Sequence, residues 1–276
     1  MNLATIRTPE GTRAVRVDDD RCVDLGAPDL GAFLARENWR STAEQEGTTT
    51  YPLADLDLAP VIPHPGKVLC VGLNYRNHIH EMGRDLPEHP TLFAKFADAL
   101  IGARDDIALA PESDAVDWEA ELTIVVGRTV RRASETEAAN AIAGFTAMND
   151  VTMRDWQYRT NQWLQGKSFE GTTPVGPVVV TPDELPGDVN PALSLSAAVD
   201  GEVVQKADTS DLVFTPVALV QYASTIMTPR PGDLIATGTP GGVGHARKPP
   251  RYLTDRSTLV TEIEGIGRLE NVARNA

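Results

Sequence analysis

The chain has 276 residues, 41% of them hydrophobic and 23% charged, so it is globular material with room for one large domain or a large and a small one. Its formal net charge of −14 argues against nucleic acid, whose binding rests on Lys and Arg neutralising phosphates, and against anionic membrane surfaces. The N-terminus lacks a basic-then-apolar signal, no apolar run approaches the ~20 residues of a membrane span, and Cys22 and Cys70 suggest no disulfide framework, so a cytoplasmic protein is expected.

Residues 1–65 read as a small α+β unit. MNLATIRTPEGTRAVRVDDDRCVDL alternates as a hairpin about TPEGT, a helix follows, and prolines at 52, 60, 63 and 65 mark a boundary. Residues 66–276 form the larger unit. KVLCVGLN reads as a buried strand in which Cys70 packs rather than attacks, and YRNHIHEMG as a short helix. IALAPESDAVDWEAELTIVVG gives strands around a loop. SETEAANAIAGF reads as a helix, with Ser134 as N-cap and Glu137 completing a capping box. FTAMND is a short strand, and VTMRDWQYRTNQWLQGK is helical or loop-like. PVGPVVVT, LSLSAAVDGEVVQKA, DLIATG and TLVTEIEGIGRLENVA are strands, with Asp200-Gly201 as a hairpin turn. Strands outnumber helices and do not alternate with them, which predicts a β-rich α+β fold.

Within DWEAELTIVVG, Glu119 and Glu121 lie two apart and so share one face of a strand, together with Asp117. Trp118, Ala120, Leu122, Ile124 and Val126 take the other, apolar face. Two readings are open: a solvent-facing strand, or a cation site in which a hard ion such as Mg2+ relieves repulsion between carboxylates. Asp150, after FTAMN, is placed to join the glutamates or to serve as a turn residue. Three carboxylates would leave part of an octahedral Mg2+ shell open to substrate.

Three other stretches carry chemistry. His78 and Glu81 are three apart, so on a helix they share a face, and a carboxylate beside an imidazole makes a general base. The plain alternative is a solvated helix. Arg154 and Gln157 are likewise spaced to grip a carboxylate together. Lys167, before a strand, is either a surface lysine or a donor to a developing enolate oxygen. PGDLIATGTPGGVG follows a strand but matches neither GxxxxGK[ST] nor a helix-opening GxGxxG. It fits a pocket-lining loop, with the Thr239 hydroxyl free for a substrate carboxylate.

In chain order, GLNYRNHIHEMG, LFAKFADALIG, DWEAELTIVVG, AGFTAMNDVTMRDWQ, GKSFEGTTPVGP, PGDLIATGTPGGVG and EIEGIGRLEN closely resemble the fumarylacetoacetate hydrolase family. The match spans Lys67 to Asn271. The resemblance implies a mixed β-sandwich or β-roll catalytic domain, commonly in a homodimer, behind a small N-terminal domain. It implies metal ligands at Glu119, Glu121 and Asp150, for Mg2+ with Mn2+ or Ca2+ as the other candidates. It implies a His78–Glu81 dyad on a segment that orders over substrate, and an active-site Lys167. Substrate contacts fall at Lys95, Arg154, Gln157 and Thr239. One departure is the missing Gly-Asp pair before the last strand hairpin, in RYLTDRSTLVTEIEG, which implies a changed turn. The segment MGRDLPEHPTL is expected to set specificity.

The substrate class is then a small keto acid. The leading expectation is divalent-metal-dependent hydrolysis of a C–C bond in a diketo acid or acylpyruvate, with the enolate stabilised by the metal and water activated by His78. The alternative is an oxaloacetate-like decarboxylase or an isomerase of keto and enol dicarboxylates on the same site. A metal-stabilised binding protein without turnover is the third, and the intact His78, Glu81 and Lys167 count against it.

Overall fold

The computed structural model describes every residue except Glu46, Thr48, Ala54, Asp55, Met82 and Arg84, and for Glu81 the backbone alone. The chain opens with β1 (Asn2–Thr8), β2 (Gly11–Val17) and β3 (Arg21–Asp24), then α1 (Leu30–Leu34), α2 (Trp39–Ala43), β4 (Thr50–Pro52) and β5 (Asp57–Leu58). Next come β6 (Val68–Gly72), α3 (Arg76–Glu81), β7 (Thr91–Lys95), β8 (Leu100–Ile101), β9 (Ile107–Leu109), β10 (Val116–Asp117) and β11 (Ala120–Val126). They are followed by α4 (Glu135–Asn140), β12 (Ile142–Asn149), β13 (Thr152–Met153), α5 (Arg154–Gln157), α6 (Leu164–Lys167) and β14 (Thr173–Val180). The last part holds β15 (Ser194–Val199), β16 (Glu202–Asp208), α7 (Pro216–Ile226), β17 (Leu234–Ala236), β18 (Thr258–Ile263) and β19 (Gly267–Asn275).

One sheet runs β4-β3-β2-β1-β14-β12-β11-β17-β6-β7, and a second runs β16-β15-β18-β19-β9. Most neighbours are antiparallel, while β17 and β6 are parallel. Every residue of β11 and β12 is buried. Such strands are covered on both faces, which fits their near-continuous apolar runs. Leu122, Ile124 and Phe145 of the first sheet share a core with Leu195, Leu259 and Leu269 of the second. The fold is therefore the β-rich α+β sandwich that the sequence predicts.

The N-terminal strands do not form a sheet of their own. β1 pairs with β14, Asn2 opposite Val180, so hydrogen bonding is continuous from the N-terminal hairpin into the larger unit. Leu3, Phe33 and Leu34 pack in one cluster with Val68, Val125, Met148 and Leu234.

Local signals held in several places. The Ser134 hydroxyl accepts from the Glu137 N–H, and the Glu137 carboxylate accepts from the Ser134 N–H, so the capping box opens α4 as expected. The helix ends at Asn140, however, and the apolar residues after it begin β12 rather than a further turn. Gly144 explains the switch: a Cβ there would meet the Val180 carbonyl oxygen at 2.3 Å, so the residue serves close strand packing. Helix α7 occupies a stretch to which the sequence reading assigns no element. Its start signals are present, since Thr215 caps the Ala218 N–H and Pro216 sits in the first turn.

Candidate metal centre

The strand alternation across DWEAEL is interrupted. β10 ends at Asp117 and β11 begins at Ala120, so Trp118 and Glu119 bridge a break. Side chains stabilise this break. The Asn149 side-chain carbonyl accepts from the Glu119 N–H at 2.8 Å, and the Gln205 side-chain carbonyl accepts from the Ala120 N–H at 3.0 Å. Glu119 and Glu121 still converge. Their carboxylates and that of Asp150 each offer an oxygen within 4.8 Å of the others, and all three residues are buried. A solvent-facing strand is ruled out by that burial.

Asp117 does not join them, contrary to the shared face expected of it. Its Oδ1 accepts from the N–H groups of Trp118 and Gly244, and its Oδ2 from the His245 N–H and Arg154 Nε. It braces the 243–246 loop and Arg154, because the break at 118–119 turns it away from the glutamates.

Two buried ammonium groups face the cluster. Lys167 Nζ donates to Glu119 Oε2 at 2.8 Å and to Asp150 Oδ2 at 2.7 Å. Lys95 Nζ donates to Asp150 Oδ1 at 2.6 Å and to the Val151 carbonyl at 3.1 Å. Lys167 is not a surface lysine, being 1% exposed. Burial opposes its charge, but Asp150 and Glu119 outweigh that and hold its pKa above the ordinary value. Burial likewise pushes the Asp150 carboxyl up, and the two lysines more than reverse it.

Glu121 differs. Gly238 N–H donates to its Oε2 at 2.8 Å, while its Oε1 is buried without a hydrogen-bond partner. Burial, with Asp150 and Glu119 beside it, drives its carboxyl well above the usual range. Gly238 can make this contact because it sits at φ +103°, and a Cβ there would meet the Val71 carbonyl at 2.9 Å. An all-carboxylate set with an orphaned buried oxygen is what a hard divalent cation satisfies. The residues present therefore fit such an ion. Charge agrees: four buried acids (Asp117, Glu119, Glu121, Asp150) face three buried bases (Lys95, Arg154, Lys167). With a divalent cation bound and all seven side chains charged, the centre would carry a net positive charge, which suits an anionic ligand.

Beside the cluster lies a cavity of about 360 Å3, lined among others by Glu119, Arg154, Gln157, Lys167, Thr239 and His78. Two expected substrate groups are already engaged. The Arg154 fork grips Asp117, Glu119 at 2.7 Å and Gln157 Oε1 at 2.9 Å, so it braces protein carboxylates. The Thr239 hydroxyl is not free either. It donates to the Ala120 carbonyl at 3.0 Å and accepts from Gln205 Nε2 at 2.8 Å. Lys95 sits behind Asp150 and is absent from the residues lining this cavity. His78, on α3, reaches the lining, whereas the Glu81 side chain and Met82 and Arg84 of the adjoining loop lie outside the described residues. Trp163 stands at the start of α6. It packs edge-on against Phe93, ring centroids 5.4 Å apart, and also lines the cavity. His245 is a lining residue that periodicity could not flag, because it stands in an irregular glycine-rich loop. Cys70 is fully buried and its thiol is pushed well up by burial, which suits packing.

A β-sandwich that buries three carboxylates against two lysines beside an open cavity defines a metal-dependent enzyme site. The family model for the fumarylacetoacetate (FAA) hydrolase C-terminal region matches residues 67–274, and the chain belongs to this family of enzymes acting on keto acids. The mitochondrial oxaloacetate tautomerase FAHD2A of Homo sapiens is 44% identical over 216 residues, covering 78% of this chain and 68% of that protein. Among solved structures, the fumarylacetoacetate hydrolase of Exiguobacterium antarcticum superposes with a TM-score of 0.89 at 31% identity, covering 100% of both chains. The 5-carboxymethyl-2-hydroxymuconate delta-isomerase of Mycobacterium smegmatis gives 0.84 at 33% identity, again over 100% of both.

Proposed function

We propose that the protein interconverts the keto and enol forms of a short 2-oxo dicarboxylate of the oxaloacetate class, using a divalent cation. The observation that carries this reading is the 44% identity to an oxaloacetate tautomerase over 216 residues. It favours the isomerase alternative over the C–C hydrolysis that the sequence first suggested. Tautomerisation moves one proton between C3 and the 2-oxo oxygen; no bond between carbons breaks and no water is consumed.

Glu119, Glu121 and Asp150 hold the cation, which when bound supplies Lewis-acid stabilisation of negative charge on the oxo oxygen. Lys167 is kept protonated by Asp150 and Glu119 and lies in the cavity wall, so it offers a preorganised donor to the same oxygen. His78 is the cavity-lining base for the C3 proton. The low exposure of the cluster excludes water and strengthens each of these interactions.

The test follows the decay of enol absorbance of freshly dissolved oxaloacetate with purified protein and Mg2+, against Mg2+ alone and against EDTA. Pyruvate and CO2 are quantified in parallel. The expected result is metal-dependent acceleration of enol decay without CO2. Stoichiometric CO2 and pyruvate would make the protein a decarboxylase. Cleavage of acetylpyruvate with no effect on oxaloacetate enol would restore hydrolysis, with His78 activating water.

A further inference from the structure

A 2-oxo dicarboxylate has two ends. The carboxylate and oxo group of one end belong at the acidic cluster and Lys167. The distal carboxylate then needs a donor elsewhere on the cavity wall. Arg154 is the obvious candidate, but its fork is taken by Asp117, Glu119 and Gln157. Lys167 is held between Glu119 and Asp150.

His245 has what those residues lack. It lines the same cavity while standing exposed at its outer side. The Tyr252 hydroxyl lies 2.9 Å from its Nδ1. With Tyr252 donating there, the ring proton resides on Nε2, which makes no hydrogen bond within the described chain. The ring is fixed on both sides: its centroid lies 5.3 Å from Tyr158 and 6.3 Å from Tyr252. Its backbone is fixed as well, since its N–H donates to Asp117 Oδ2 at 2.9 Å, the oxygen that also holds Arg154 Nε at 2.8 Å. One buried carboxylate thus ties the outer imidazole to the guanidinium that braces Glu119.

We infer that His245, oriented by Tyr252, is the specificity residue that binds the distal carboxylate of a dicarboxylic substrate through Nε2. The inference rests on the dicarboxylate reading above. His245 takes no part in the proton transfer, so it acts on KM and on the choice between dicarboxylic and monocarboxylic substrates. Tyr252 is a positioning residue.

The test titrates the Mg2+-loaded protein calorimetrically with malate and with 2-hydroxybutanoate, which differ only in a carboxylate for a methyl. Oxaloacetate turnover is measured alongside. For His245→Ala we expect malate to bind roughly ten- to hundredfold more weakly, the range of a hydrogen bond to a charged group. Binding of 2-hydroxybutanoate should be unchanged, and the oxaloacetate KM should rise with kcat preserved. His245→Gln, which keeps a donor, should recover most of the loss, and Tyr252→Phe should fall between. Equal losses on both ligands, or none on either, would overturn the inference. If the wild type shows the malate preference but never turns over oxaloacetate, the tautomerase reading falls and His245 recognition stands. If it turns over oxaloacetate and the variant keeps the preference, the reverse holds.

Discussion

Asp150 accepts from two ammonium groups, whereas Glu121 accepts from a single backbone N–H and leaves Oε1 without a partner. Matching amide substitutions at the two should therefore differ sharply in their cost. Asp150→Asn strands Lys95 as a buried charge, leaves Lys167 with Glu119 alone, and should cost about 3–5 kcal/mol in urea unfolding under EDTA. Glu121→Gln removes an unpaired buried carboxylate and keeps an acceptor for Gly238, so stability under EDTA should stay within about 1 kcal/mol of the parent. Mg2+ affinity of Glu121→Gln by calorimetry should nonetheless fall by more than about tenfold, the loss that even an outer-shell change brings. A Glu121→Gln protein that binds Mg2+ normally would remove this residue from the metal centre. At this scale the two glutamates were legible because a spacing of two residues brings both carboxylates to one cluster even though the strand breaks at 118–119. Asp117 was misplaced because that break turns it toward Gly244 and His245, and no local residue pattern announces the break. Arg154 and Thr239 were found as cavity residues, and Gln157 as the neighbour of Arg154, but Asp117, Glu119, Ala120 and Gln205 lie far along the chain and so were not readable as their partners.

Among the elements, the turn before β18 carries the consequence of the missing Gly-Asp pair. Arg256 sits there at φ +70°, with its side chain 82% exposed and Asp255 Oδ2 3.6 Å from its Nε. An L-residue in this region loses about 1–2 kcal/mol, and glycine avoids that loss at a cost of about 0.5–1 kcal/mol in unfolded-state entropy. Arg256→Gly should therefore stabilise by about 0.5–1 kcal/mol, read as a higher urea midpoint at constant slope. An unchanged or lower midpoint would mean that the turn carries no strain. Other elements were legible where a side chain closes a local bond, as in the Ser134–Glu137 box. The overextended helix at 141–145 failed because Ala, Ile and Phe suit a buried strand as well as a helix. Only the approach of Val180 to Gly144 decides between them.

For the whole molecule, the decisive feature is the continuity of one sheet from β4 through β1 and β14 to β7. The charged N-terminus donates to the Thr181 hydroxyl at 2.6 Å, and Arg7 bridges Asp57 and Asp105 at 2.7 and 2.6 Å. With Leu3 and Phe33 in one apolar cluster with Val125 and Leu234, residues 1–65 cannot melt without exposing the core behind β11 and β17. The proline-rich run at 52–65 marks a change of architecture along the chain, yet burial crosses it. Calorimetry should accordingly show a single unfolding transition, with calorimetric and van't Hoff enthalpies equal. Mg2+ at about 100 times its Kd should raise that transition as a unit, by about 2.7 kcal/mol, or roughly 5 °C for a chain of this length. Two transitions, of which only the upper one responds to Mg2+, would instead establish residues 1–65 as an independently folding unit tethered to the metal-binding domain.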